Sequence, residues 1–400
     1  MRLDNDSVVY LYMATSLADG VPFQPTGLPI GYPAFISLLI RAGLGSSFLF
    51  VLANCAFIAI GLKSVSYLFD KRPDGRPSWA VLLTLLSVPL IRYLPMHLPE
   101  TMFFGISLLA VAVMTEATRS TGRRRFALLA GALVLTAIAI TVRLVGFALV
   151  PALLWACTHR DYQEMSQRRV WTTREKWMSA IALLAIGIVA LVVLGPSFHK
   201  YAYEAGLKYL DPKVAYFLWV KLFGFVGRLG EVAINLPGTQ LGSLAWEFLA
   251  VGVAVIIWVA TKVQPRAPRS PASIYLVAFL LLLFLWPYNA LRLWLPIVPL
   301  MIGYAERATL RREPGRKWER FVAVYRGWFV FAGLAALAYT TRITLSGPDF
   351  SRVYGKGGGM SLPDRKGRVD ELHNRRARAL LKRFDNPFLI SIPIMTKPSR

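Results

Sequence analysis

The chain has 400 residues, of which 55% are hydrophobic and 17% charged, and its 46 Lys and Arg outnumber its 22 Asp and Glu. A mean hydropathy of +0.48 is too high for an average soluble protein, and it excludes a disordered chain or a small disulfide scaffold. This composition indicates a polytopic membrane protein, in which surplus basic charge is more typical of cytoplasmic loops than of nucleic-acid binding.

Ten apolar stretches follow one another along the chain after residue 46, which predicts an all-α polytopic bundle of about 10 spans. Several are shorter than the ~20 residues that a perpendicular span needs, so we expect tilted or broken helices. Residues 32–44 are apolar but shorter still, and they predict an interfacial or re-entrant helix. The predicted spans are 47–69, 79–95, 101–118, 126–142, 144–158, 178–196, 243–261, 272–287, 290–305 and 321–345.

Five connections between these spans are rich in basic residues and alternate with connections that hold few. Together they carry 21 of the 46 Lys and Arg. Because positively charged loops stay in the cytoplasm, these five are predicted to be cytoplasmic and the intervening connections to lie outside. The basic connections are 70–78, 119–125, 159–177, 262–271 and 306–320.

This topology divides the chain into three parts. Residues 1–46 form an external loop with interfacial helices, 47–345 form the transmembrane bundle, and 346–400 form a basic tail, predicted to be external. The long connection 197–242 is also predicted to be an external loop. The tail holds 12 Lys and Arg and suits a surface helix on anionic headgroups, although an error in the last span would place it in the cytoplasm. Nucleic-acid binding is disfavoured because no fold or aromatic interleaving accompanies the charge.

Polar and ionisable residues gather at the external ends of the predicted spans, where such residues are costly and often functional. A carboxylate there can act as a general base on a hydroxyl, and arginines can hold a phosphate through two hydrogen bonds. Together these groups suit the transfer of a group from a phosphate-linked lipid to an acceptor outside the cytoplasm. They are Asp4, Asp6, His97, Glu100, Arg143 and Arg292.

Each of these residues also has a purely structural interpretation. Asp6 suits the N-cap of a helix that begins at Ser7, and Glu100 suits the dipole at the start of the third span. Arg143 and Arg292 could extend to the lipid headgroups, and a lone histidine is most often a satisfied interfacial residue. The basic residues of the loop 197–242 could form a solvated face; they are Lys200, Lys208, Lys213, Lys221 and Arg228.

Six short stretches between residues 4 and 305 resemble, in order and predicted topology, those of the GT-C glycosyltransferases. The relatives in question are bacterial polytopic transferases akin to the protein O-mannosyltransferases and the lipid A aminoarabinose transferase. The stretches are 6–14, 17–20 and 31–35 (first external loop), 99–104 (acidic turn before an apolar helix), 141–146 (arginine-bearing hairpin) and 291–300 (Arg-x-x-x-Pro-x-x-Pro).

The resemblance implies a GT-C-like fold in a bacterial inner membrane. It also implies that the protein transfers a hexosyl or pentosyl group from a polyprenyl-phosphate donor to a lipid, glycan or protein acceptor on the periplasmic face. Asp6 is implied as the general base, with Asp4 as the second candidate, and Arg143 and Arg292 as contacts of the donor phosphate.

The resemblance further implies acceptor-binding or supporting roles for Tyr10, His97 and Glu100. No metal site is predicted, because the scattered Cys and His residues have no ligand spacing. A divalent ion that bridges the loop acid and the donor phosphate remains an open alternative.

The chain departs from these relatives at its start, because they carry a transmembrane helix before the acidic loop and Met1 stands three residues before Asp4. We therefore expect activity to need an upstream extension; full activity of the 400-residue chain in membranes would contradict this. Two other classes stay open: a flippase or transporter for a lipid-linked substrate, which favours inverted repeats and midplane charges, and a non-catalytic scaffold in polysaccharide assembly.

Overall fold

The computed structural model describes nine ranges of the chain, and every regular element within them is a helix. The predicted span 178–196 and the basic tail 346–400 lie outside the described residues. The described ranges are 5–22, 28–69, 78–96, 98–159, 214–237, 241–262, 270–286, 290–310 and 316–345.

These ranges contain thirteen α-helices and three short 3-10 helices, the latter at Leu144–Ala148, Gly242–Leu244 and Leu291–Trp294. The α-helices are α1 Asn5–Asp19, α2 Gly31–Arg41, α3 Ser47–Phe69, α4 Ala80–Leu85, α5 Val88–Tyr93, α6 Glu100–Arg119, α7 Gly122–Val142, α8 Leu149–Thr158, α9 Val214–Ile234, α10 Ala245–Lys262, α11 Pro271–Leu285, α12 Val298–Leu310 and α13 Arg316–Leu345.

Four of these helices, α3, α6, α7 and α13, are long and apolar enough to cross a membrane. Large apolar side chains such as Leu52, Val134 and Phe331 point outward from them. Extensive exposed apolar surface of this kind is rare on soluble proteins and suits contact with lipid tails. The described part of the chain is therefore an all-helical bundle with the character of a membrane protein.

Helix α6 lies at the centre of the bundle and is the most deeply buried of the long helices. It forms an antiparallel hairpin with α7 and packs against α3, α8 and α11. Where α3 crosses α6, Gly61 lies against the ring of Phe104 and Gly105 lies against the backbone of Phe57. Small residues at such crossings let membrane helices approach closely. Van der Waals packing then stabilises the helix pair, because the hydrophobic effect contributes little between helices within lipid.

The predicted span 79–95 is broken into α4 and α5 at Leu86 and Ser87. Ser87 is extended, and Pro89 stands in the first turn of α5, where its missing N–H costs no helical hydrogen bond. The break leaves polar backbone groups inside the protein, and Asn235 pairs with them: its amide nitrogen donates to the Leu86 carbonyl, and its oxygen accepts from the Val88 N–H. The expectation of broken helices among the short spans is met here.

The predicted external loop 197–242 contains a 21-residue helix, α9, so the prediction of a loop is wrong over that part. Three charges, on Lys221, Arg228 and Glu231, lower the hydropathy of an otherwise apolar helix. Nor do these residues form a solvated face: Lys221 is buried and donates to the Trp286 carbonyl, while Arg228 pairs with Glu231. Lys200, Lys208 and Lys213 lie outside the described residues.

Helices α9 and α10 form an antiparallel hairpin whose close approach depends on Gly230 and Gly252. A methyl group on Gly230 would collide with the carbonyl of Phe248 and lie 2.9 Å from the Gly252 nitrogen. We expect Gly230→Ala to destabilise the protein by about 1–3 kcal/mol, because backbone atoms must move apart.

Gly227, in the same helix, is the matched control, because nothing lies within 4 Å of a methyl group placed there. Gly227→Ala should be neutral or stabilising by up to about 1 kcal/mol, since alanine is the better helix former. The midpoint of thermal unfolding of the detergent-solubilised protein measures both effects. Equal midpoints for the two variants would contradict the packing described.

The described part of residues 1–46 holds two helices, α1 and α2, which pack side by side and run parallel. The Arg41 guanidinium joins the C-terminal ends of the two helices by donating to the Leu17 and Ala18 carbonyls, at 2.5 and 3.3 Å. Both helices bury apolar side chains in the main core, among them Tyr10 and Ile36. The N-terminal segment is thus packed onto the bundle.

Candidate functional site

Three chain segments meet at one end of the bundle because the helices that carry them run antiparallel. Glu100 begins α6 and Arg143 follows the last residue of α7, so the α6–α7 hairpin brings both residues to the same end. Helix α11 runs antiparallel to α6, with Phe279 beside Phe103 at a ring-centroid distance of 6.2 Å. The 3-10 helix with Arg292 follows α11 and therefore lies at this end as well.

The carboxylate of Glu100 is shared by two arginines. Nη2 of Arg143 donates to Oε1 of Glu100, and Nε of Arg292 lies 3.4 Å from the same oxygen. Glu100 is 2% exposed and Arg143 is also buried, whereas the side chain of Arg292 is 21% exposed. Arg143 therefore points into the protein to a carboxylate and does not extend to lipid headgroups.

The local backbone explains how Arg143 reaches this position. Helix α7 ends at Val142, and Arg143 has an extended conformation before the chain enters the 3-10 helix Leu144–Ala148. Gly146 then folds back against α7, where a methyl group would lie 2.8 Å from the Ala139 carbonyl carbon. The sharp turn leaves Arg143 at the apex, directed across the end of the bundle.

A second group of charges adjoins the first and centres on Tyr93, near the end of α5. Arg92, Arg228, Glu231 and Arg292 all lie within electrostatic range of the Tyr93 hydroxyl. The guanidinium carbon of Arg92 lies 5.7 Å from the Tyr93 ring centroid, and Arg228 forms an ion pair with Glu231. Arg292 is therefore common to both groups.

The α1–α2 pair approaches the same end of the bundle. Gly31, the first residue of α2, lies so close to Thr141 that a methyl group would be 2.7 Å from the Thr141 carbonyl carbon; Arg143 follows two residues later. The parallel pairing places the first turn of α1 at this end too, because Tyr10 contacts Tyr32 with ring centroids 5.7 Å apart.

Asp6 belongs to that first turn of α1, one helical turn before Tyr10. Asp4, His97 and the side chain of Asp6 lie outside the described residues. Of the site residues predicted from sequence, the structure brings Glu100, Arg143 and Arg292 into contact and buries Tyr10 nearby. Within the described part of the chain, no three His, Cys, Asp or Glu side chains are grouped as metal ligands would be.

Three contributors to this region were missed by the sequence reasoning: Tyr32, Arg92 and Arg228. Burial raises the pKa of the Tyr32 hydroxyl, which has no hydrogen-bond partner among the described residues. Tyr32 belongs to the stretch 31–35, which resembles the first external loop of the GT-C glycosyltransferases, so this stretch could have identified Tyr32 as a candidate site residue. Arg92 was visible as a lone charge near the external end of the predicted span 79–95. Arg228 was interpreted only as part of a solvated face and had no comparable signal.

Comparisons of the chain with protein-family models, with curated proteins and with solved structures gave no match.

Proposed function

We propose that the chain is a GT-C-type membrane glycosyltransferase, which moves a sugar from a polyprenyl-phosphate donor to an acceptor on the extracytoplasmic face. The observation that carries this proposal is the meeting of Arg143 and Arg292 at one buried carboxylate, Glu100, beside the parallel pair of helices α1 and α2. Two guanidiniums at the end of a membrane bundle suit a phosphate headgroup whose lipid tail remains among the helices.

The proposed chemistry needs one base and one anion site. Asp6 takes the proton from an acceptor hydroxyl as that oxygen attacks the anomeric carbon. Arg143 and Arg292 hold the donor phosphate and stabilise the charge that grows on it as the sugar departs. A single base and a phosphate leaving group fit inversion at the anomeric carbon.

Glu100 takes a supporting role in this scheme. Its carboxylate orients Arg143 through a charge-assisted hydrogen bond and holds Arg292 more loosely, at 3.4 Å. Arg292 is the more exposed of the two arginines, so it is the better placed to turn toward an incoming phosphate. Tyr10 and Tyr32 lie where they could support the acceptor, and the Tyr32 hydroxyl is a hydrogen-bond donor at neutral pH.

The proposal also includes the membrane arrangement: about ten spans, basic loops in the cytoplasm of a bacterium, and the arginine site facing the periplasm. Support comes from the alternation of connections rich in Lys and Arg with connections that hold few, although the long connection 197–242 holds five. Arg119 and Arg124, at the opposite end of the α6–α7 hairpin from Arg143, belong to a region predicted to be cytoplasmic, as this topology requires.

The test is sugar transfer in membranes that contain the chain, with a panel of labelled polyprenyl-phosphate sugars. Arg292→Gln should lower the turnover number about 10²- to 10³-fold, because it removes a donor to the developing phosphate charge. Arg124→Gln is the control, since Arg124 also pairs with a glutamate, Glu116 at 2.7 Å, but its side chain is 72% exposed. Equal turnover in the two variants would refute the role of Arg292.

A further inference from the structure

A buried asparagine of α3 binds the connection that leads into Glu100. Asn54 is 2% exposed, and its amide nitrogen donates to the Leu94 carbonyl at 3.3 Å and to the Met96 carbonyl at 3.1 Å. Its amide oxygen accepts a hydrogen bond from the Thr101 hydroxyl at 2.7 Å. Both ends of the connection from α5 to α6 are thus attached to one side chain.

The hydrogen-bond partners of Asn54 leave its amide group a single orientation. A carbonyl can only accept a hydrogen bond, so the two carbonyls must face the NH2 group of the amide. The Thr101 hydroxyl then meets the amide oxygen and acts as the donor. Both hydrogens of the NH2 group are used, as the burial of a polar group within a membrane bundle requires.

Helix α6 begins without a side-chain cap of its own. Its N-cap residue is Pro99, which makes no capping hydrogen bond. The carboxylate of Glu100, the first residue of the helix, is directed to Arg143. Thr101, the second residue, is fully buried, and its hydroxyl is directed to α3. The start of α6 is therefore held by a hydrogen bond to another helix.

Close packing of α3 and α6 makes this attachment rigid. One turn after Thr101, Gly105 lies against the backbone of Phe57, where a methyl group would collide with the Phe57 carbonyl. Helix backbones that approach so closely cannot shift past each other without a collision. Asn54 precedes Phe57 by three residues, so its hydrogen bond to Thr101 lies about one turn from this contact.

We propose that Asn54 is a positioning residue of the candidate site. Through Thr101 and the turn at residues 94–96, it fixes the place of Glu100. Glu100 in turn orients Arg143, which contacts the donor phosphate in the proposed function on which this inference rests. Asn54 acts without touching the substrate, and its effect passes through the backbone at the start of α6. A displaced Glu100 would misdirect Arg143 and weaken its stabilisation of the charge that grows on the phosphate.

Two substitutions of Thr101 separate a positioning hydrogen bond from packing. Thr101→Val keeps the shape of the side chain but removes the hydroxyl, whereas Thr101→Ser keeps the hydroxyl and loses a methyl group. If the hydrogen bond positions Glu100, Thr101→Val should lower the turnover number for sugar transfer about 10- to 100-fold, and Thr101→Ser should retain most of it. Packing alone predicts the reverse order, with Thr101→Ser the more harmful.

The kinetic constants of Thr101→Val give a second readout. The KM for the polyprenyl-phosphate donor should change less than the turnover number, because the misdirected arginine acts mainly on charge that develops in the transition state. Asn54→Leu should lower the turnover number at least as far as Thr101→Val. If Asn54→Leu fails to fold because two carbonyls lose their donor, the Thr101 variants still decide the question.

A stability measurement tests the same inference without sugar transfer. Arg143→Met is compared in the wild-type chain and in Thr101→Val, by the midpoint of thermal unfolding of the full chain in detergent. If Thr101 helps to place Glu100, part of its contact with Arg143 is already lost in Thr101→Val. Arg143→Met should then lower the midpoint by about 1–4 °C less in that background.

Ser64→Ala provides the control background for this comparison. Ser64 is also buried in α3, but its hydroxyl donates to the Ile60 carbonyl of its own helix, at 2.9 Å. The midpoint shifts of Ser64→Ala and Arg143→Met should therefore add, as expected for independent sites.

The outcomes separate this inference from the proposed function. Equal turnover of Thr101→Val and Thr101→Ser, or additive midpoint shifts of Thr101→Val and Arg143→Met, overturns the positioning role even if the wild-type chain transfers sugar. Non-additive shifts in a chain that transfers none of the labelled sugars support the placement of Glu100 by Asn54 and reject the glycosyltransferase. Full turnover in Asn54→Leu would also overturn the inference.

Discussion

Asp6→Asn is expected to lower sugar transfer by about 10²- to 10⁴-fold, the usual contribution of a positioned general base. Asparagine has nearly the same shape but cannot accept the acceptor proton. Helix α1 begins at Asn5, so Asp6 lies inside its first turn and is not the N-cap of a helix that begins at Ser7. The measurement is initial transfer rate per amount of chain in the membrane, determined by quantitative immunoblotting.

Asp19→Asn is the matched control for this variant. Asp19→Asn is the same chemical change in the same helix, but Asp19 is the last residue of α1 and is exposed. The Asp19→Asn variant should keep most of the transfer rate. Full transfer by Asp6→Asn would remove Asp6 as the base and would favour Asp4.

The second large effect is expected at the buried pair of Glu100 and Arg143. Arg143→Met alone leaves a carboxylate that is 2% exposed without its main partner, and we expect a loss of about 3–5 kcal/mol of stability. The double variant Glu100→Gln/Arg143→Met removes both charges together and should recover most of that loss, since paired removal of buried ions is often nearly neutral.

The double variant distinguishes a structural ion pair from a phosphate site. If Arg143 only neutralises Glu100, transfer should return with stability; if Arg143 contacts the donor phosphate, stability should return without transfer. Unfolding midpoints in detergent and transfer rates in membranes give the two readouts. Arg124→Met, at an exposed pair, should cost less than about 1 kcal/mol.

Hydropathy predicted the long helices of the bundle closely. The predicted spans 101–118 and 126–142 correspond to α6 and α7 within four residues at each end, because an uninterrupted apolar stretch has few alternatives to a helix in lipid. The common position of Glu100, Arg143 and Arg292 at span ends predicted that these residues lie at one end of the bundle. It did not predict their contacts with one another, since these depend on how the backbone turns at Arg143.

Features that depend on contacts between distant segments could not be predicted from the sequence. Helix α9 was missed because Lys221, Arg228 and Glu231 interrupt its apolar pattern, and only the folded protein supplies the Trp286 carbonyl and the ion pair that accommodate them. The break between α4 and α5 was expected only in general terms. Its place depends on Asn235, which lies 149 residues from Leu86 along the chain.

Asn235 joins three helices below the arginine site. Its backbone is left-handed, with φ of 61°, and its amide nitrogen donates at 3.0 Å both to the Leu86 carbonyl before α5 and to the Phe329 carbonyl in α13. Helix α13 also holds the end of α9, because Tyr325 and Trp328 donate to the Ala233 and Ile234 carbonyls.

One amide therefore sets the spacing between the helix that carries Arg92 and the helix that carries Arg228. A change at Asn235 would alter the distance between these two arginines, although neither arginine is itself replaced.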